Sequence, residues 1–120
     1  MYTSWELVDT FPYKGFDARL SYTWDDIPIR DCFDDTCYNI QEMEEKVNSG
    51  EMYWIIARVQ LFLDSVEISE QYLGGIYAES LDELKEYYLN DMLEEAYYDA
   101  QTWFNENKDF LQSYEFSMKD

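Results

Sequence analysis

Seven carboxylates, Asp82, Glu83, Glu86, Asp91, Glu94, Glu95 and Asp99, fall in one short stretch, SLDELKEYYLNDMLEEAYYDAQTWF, with Lys85 the single base among them. A second group, Asp25, Asp26, Asp31, Asp34 and Asp35, lies in DDIPIRDCFDDTCY. Carboxylates in such numbers can do three kinds of chemistry. They can shuttle protons in pairs, as in glycoside hydrolysis. They can gather round a hard cation such as Ca²⁺. They can also present a row of negative charge to a basic surface.

The first two uses find little support in the spacing. With 27 acids in 120 residues, some pair always lies at a suitable separation, so pairing singles out no catalytic set. The aspartate loop does not follow the twelve-residue calcium-loop pattern and lacks the Gly that its sharp turn requires. Cys32 and Cys37 are spaced C-x4-C, without the second pair or His that a structural zinc site needs. The spacing also differs from the C-x-x-C of redox pairs. The chain has no His, which removes Ser-His-Asp and Cys-His catalysis. There is no phosphate-binding Gly-rich loop and no nucleophile elbow. No catalytic, cofactor or metal-binding residues are therefore assigned, and an enzyme is not expected.

The third use fits the totals. Acids outnumber bases 27 to 8, giving a net charge of −19. Such a charge repels nucleic acid and anionic membrane and attracts basic surfaces. Neither nucleic acid nor membrane is expected as a direct partner. No apolar run of membrane-spanning length occurs, and no basic-then-apolar leader opens the chain, so a cytoplasmic location is expected. Aromatics make up 19% of residues, with 12 Tyr, 7 Phe and 4 Trp, which argues for a packed fold rather than charge-driven disorder. A length of 120 residues suits one domain, 1–120.

The elements that must carry the carboxylates follow from periodicity. Ser80 and Glu83 form an S-x-x-E capping box, in which each side chain serves the other residue's backbone N–H. From there Leu81, Leu84, Tyr88, Met92, Ala96, Ala100 and Trp103 recur every three or four residues, the signature of one helix face. The acids fall mostly outside this stripe. Like charges at i,i+4, as in Asp82/Glu86, Asp91/Glu95 and Glu95/Asp99, each destabilise a helix by a few tenths of a kcal/mol. Their presence points to a use other than helix stability. Asn90-Asp91 is a candidate interruption.

Upstream, residues 2–10 read as a strand and Phe11–Gly15 as a turn. Phe16–Trp24 alternates cleanly and is a half-buried strand. Residues 25–38 read as a loop. Asn39 caps a short helix ending at Asn48-Ser49-Gly50. Residues 52–63 are the most apolar segment and form a central strand. A turn near Asp64-Ser65 leads into a strand through Tyr77, with a bulge or close approach at Gly74-Gly75. After Phe104 the pattern weakens, with Phe110 and Leu111 left to pack. The order β-β-α-β-β-α predicts a two-layer α+β fold, an antiparallel sheet of about four strands with two helices.

Each tyrosine doublet, Tyr87-Tyr88 and Tyr97-Tyr98, must place one ring off the core face. Exposed Tyr is common at protein interfaces. A helical row at i,i+4 sets a carboxylate about every 6 Å. Two staggered rows approach the roughly 3.4 Å charge spacing of one nucleic-acid strand.

On DELKEYYLNDMLEEAYYD and DDIPIRDCFDD as charge patterns, the chain resembles the acidic DNA-mimic inhibitors that phages direct against host defence, the anti-CRISPR and anti-restriction class. The resemblance lies in composition and charge pattern. It implies a basic nucleic-acid-binding protein or nuclease complex as partner, with Tyr98 and the acids above as contact residues. An acidic adaptor with an ordinary protein partner, touched through Tyr97, Tyr98 or the first hairpin, is the alternative.

Overall fold

Alternation in the chain becomes a four-stranded meander. In the computed structural model, which describes residues 4–107, β1 (Glu6–Tyr13), β2 (Phe16–Trp24), β3 (Tyr53–Leu63) and β4 (Val66–Ala78) pair in sequence order, every neighbour antiparallel. Helix α1 spans Ile40–Asn48. A second helix begins near Asp82 and passes through one π-helical turn, Leu84–Tyr88, into α2, Leu89–Glu106. The fold is α+β, a four-stranded antiparallel sheet with two helices, as expected. Phe110 and Leu111 lie outside the described residues.

Two of the hairpins close on turns whose central residues have positive φ: Lys14 and Gly15, then Asp64 and Ser65. Such turns match the twist of the flanking strands. The first corrects the expected Phe11–Gly15 turn. Phe11, Pro12 and Tyr13 remain in β1, opposite Ala18, Asp17 and Phe16. Pro12 is tolerated because β1 is an edge strand, where a missing N–H need not break the ladder. Of the strand expected over 2–10, residues 2 and 3 lie outside the described residues, Ser4 and Trp5 precede the strand, and β1 begins at Glu6.

The main core lies between the sheet and α2. Phe16, Ala18, Leu20 and Tyr22 of β2 and Ile55, Ala57, Val59 and Leu61 of β3 share one sheet face, alternating as a period of two requires. Met92, Leu93, Ala96 and Ala100 cover them. Ala96 and Ala100 are fully buried, and their small side chains let the helix backbone approach the sheet. Ser69 Oγ donates to the Ala96 carbonyl at 2.8 Å across that contact.

On the opposite face, Trp54 packs with Ile29 and Ile40, flanked by Phe33, Met43, Val47 and Tyr77. This smaller cluster fastens α1 and the 25–39 segment to one end of the sheet. Trp54 Nε1 donates to the Ile27 carbonyl at 2.7 Å. The expected irregularity at Gly74-Gly75 is a bulge, where the register skips between Ile55↔Ile76 and Ala57↔Leu73. Gly75 has φ +70, and its N–H donates to Asp25 Oδ2 at 2.9 Å.

The helix interruption sits at 84–88 rather than at Asn90-Asp91. A π turn adds one residue to a turn of helix. The buried stripe therefore steps from Leu84 to Leu89 and Leu93, and Leu93 joins the core although the three-four spacing from Leu81 omitted it. The capping box forms only in part. Glu83 accepts from the N–H of Glu79 at 2.5 Å and of Ser80 at 3.4 Å, while its own N–H is taken by the Ser80 carbonyl rather than by the Ser80 side chain.

Candidate partner-binding surface

The five-residue step through the π turn also acts on the acids. Glu86 falls on the row that continues through Asp91, Glu95 and Asp99, with Asp82 one turn earlier, and all five are exposed. Glu94 lies beside this row. Asp91, Glu94, Glu95 and Asp99 come together with Gln71 and Tyr98 around a shallow open groove of about 420 Å³ between α2 and β4. Gln71 Nε2 donates to Asp99 across it.

The tyrosine doublets split as their spacing requires. Tyr87 and Tyr98 are 63% and 69% exposed, beside the carboxylates. Tyr88 and Tyr97 pack against the core. Tyr97 meets Tyr13 and Phe16 edge to face, and Lys14 Nζ sits 4.6 Å from its ring centroid.

The bases among the described residues are engaged elsewhere. Lys85 pairs with Asp9 at 2.9 Å, Arg30 with Glu44 at 2.5 Å and Lys46 with Glu42 at 3.3 Å. Arg19 lies over Phe62, Arg58 over Trp5 and Lys14 over Tyr13 and Tyr97. The hydrogen-bonded Lys85 ammonium holds the Asp9 carboxyl below its usual range. None of these six bases pairs with Asp91, Glu94, Glu95 or Asp99, so the charge of that row is uncompensated from within the described residues.

The aspartate loop divides in role. Asp25 is half-buried and structural, its two oxygens accepting from Ile27 N–H and Gly75 N–H. Asp34 is exposed but caps a turn, accepting from Thr36 N–H at 2.9 Å, and that bond lowers its pKa. Asp26, Asp31 and Asp35 are exposed. The loop is fastened by Trp54 to the sheet face opposite the main core, so it does not extend the α2 row on the same face. Glu83, used as a cap, also contributes less to the open surface than its neighbours.

Among the described residues no three His, Cys, Asp or Glu side chains are grouped to hold a metal ion. Cys32 and Cys37 are exposed free thiols. No helix among the described residues is long and apolar enough to cross a membrane. No protein-family model, curated protein or solved structure matches the chain.

Two expectations follow from this electrostatic layout. Exposed charges more than about 8 Å apart are largely screened at physiological ionic strength. The melting temperature should therefore rise between low salt and about 0.5 M NaCl, by about 4 °C for each kcal/mol of repulsion removed. A flat or falling curve in a calorimetric salt series would contradict a concentrated negative surface.

The second expectation concerns Tyr22, whose hydroxyl donates to Glu6 at 2.8 Å. That bond and burial push its pKa up from 10.0 to about 12. The neutral phenol is favoured in the folded state, so this contribution is complete below pH 10 and is lost as pH rises toward 12. In a phenolate absorbance titration, Tyr22→Phe should remove a late component and leave the early ones unchanged.

Proposed function

We propose that the protein is a stoichiometric inhibitor, of the type phages and mobile elements use against anti-invader nucleases, acting in the host cytoplasm. Its acidic surface occupies a basic nucleic-acid-binding site of a host defence nuclease complex, in the manner of anti-CRISPR or anti-restriction proteins. The observation that carries this reading is the exposed row of Asp91, Glu95 and Asp99, with Glu94 alongside, uncompensated by any base among the described residues. Carboxylates about 6 Å apart on a rigid helix offer a Lys/Arg-lined groove the counterion release and steering that a nucleic-acid strand offers.

The test is competition. A purified defence nuclease bound to the protein is challenged with its own DNA or guide RNA at rising concentration. Displacement in proportion to nucleic-acid occupancy supports the mimic; full retention at saturating nucleic acid overturns it. Retention would favour the adaptor reading, which draws on the exposed rings of Tyr87 and Tyr98 as contact area for an ordinary protein partner.

A further inference from the structure

Strand β4 ends the sheet, and its stretch Ser69–Leu73 pairs regularly with Leu61–Ala57 between two register irregularities. The other edge, β1, is interrupted by Pro12 and by a register shift between Leu7 and Asp9, devices that blunt an edge against strand addition. The Ser69–Leu73 run carries neither. Tyr72 and Leu73 on it are 51% and 38% exposed.

Helix α2 lies alongside this edge. Ser69 bonds the Ala96 carbonyl, Gln71 bonds Asp99, and Leu73 lines a small groove with Tyr88, Met92 and Asp91. The carboxylate row of α2 thus follows the outer edge of β4, the last strand of the sheet among the described residues. Its step of about 6 Å per i,i+4 pair is close to the step of about 6.7 Å between alternate residues of a strand.

We propose that the Ser69–Leu73 edge of β4 receives an extended Lys/Arg-rich segment of the partner as a fifth strand, whose alternate basic side chains reach Asp91, Glu95 and Asp99. Main-chain hydrogen bonds would supply affinity and the alternating charges register. Charge complementarity selects this occupant over a second copy of the chain, which would set two acidic rows against each other. The proposal rests on the acidic row being the partner-binding surface, but not on the partner handling nucleic acid.

The probe is a fluorescent nine-residue peptide alternating Lys and Val, with two variants N-methylated along one backbone edge or the other. The unmodified peptide is expected to bind and to slow amide hydrogen exchange within Ser69–Leu73 by about tenfold or more. Methylation of one edge should weaken binding by about tenfold and methylation of the other should not. Asp91→Asn, Glu95→Gln and Asp99→Asn together should weaken it comparably, with circular dichroism unchanged. Absence of binding, equal binding by all three peptides, or unchanged exchange at β4 overturns the proposal. So does a dimer in sedimentation that protects β4 without peptide. If the peptide results hold while nucleic acid fails to displace the nuclease, strand addition stands and the inhibitor reading falls. The opposite pattern leaves the inhibitor reading and removes this one.

Discussion

Reversal of Asp91, Glu94, Glu95 and Asp99 to Lys is expected to lower partner affinity by about 100-fold or more while the fold persists. All four are exposed, and exposed substitutions usually change stability by within about 0.5 kcal/mol each. Asp99 gives up one surface hydrogen bond to Gln71, a loss of about 1 kcal/mol at most sites. The reversal also relieves the Asp91/Glu95 and Glu95/Asp99 repulsions. At a basic groove each change replaces an attraction by a like-charge contact. Such contacts cost several kcal/mol, and each 1.4 kcal/mol is tenfold in affinity. Circular dichroism checks the fold, and titration of the partner at two salt concentrations checks the binding. Wild-type binding by the folded quadruple variant would make the row a solubility feature. The adaptor reading would then lead, with Tyr98 or the first hairpin as the contact.

Trp54→Ala should cost about 3–5 kcal/mol, the range for emptying a buried large aromatic site. Against a typical total of about 5–15 kcal/mol, this is a large fraction of stability. Trp54 is 4% exposed and is the sheet's contribution to the cluster with Ile29 and Ile40. Its loss should release the 25–39 segment and α1 before the α2 side, because Leu20, Ile55, Leu84 and Ala96 form a separate core. Trp54→Phe keeps most of the ring and loses the bond to the Ile27 carbonyl, so a cost of about 1 kcal/mol is expected. Urea denaturation measures both costs. Hydrogen exchange resolves where the opening starts, and uniform loss of protection across α1 and α2 would contradict two separately anchored faces. Partner binding that survives Trp54→Ala would assign the dominant contact to α2 rather than to the aspartate loop.

Much of this architecture is readable from local pattern. The alternation in Phe16–Trp24 and in the 52–63 segment marks β2 and β3, because a half-buried strand has a side-chain period of two whatever surrounds it. Asn39 marks the start of α1 for an equally local reason, its side chain accepting from Glu42 N–H three residues on. The split of each tyrosine doublet follows from helix geometry alone. Net charge and the density of acids on the second helix need no structure to be seen.

Other features depend on contacts between distant residues, and no window of sequence carries them. The role of Asp25 is set by Gly75, fifty positions away, whose N–H it accepts across the β4 bulge. Alternation puts Trp54 on the face opposite Ile55 but does not say what covers it; the packing of Ile29 and Ile40 against it places the aspartate loop opposite α2 and so divides the acids into two surfaces. The π turn begins at Leu84, which is buried in the same core as Leu93, and a three-four count along the helix cannot reveal it. That extra residue brings Glu86 into line with Asp91, Glu95 and Asp99. The amount of negative charge is thus a property of composition. Its arrangement along the β4 edge comes from how one helix is seated on the sheet, because burial of apolar side chains, not repulsion among exposed carboxylates, dominates the free energy of seating.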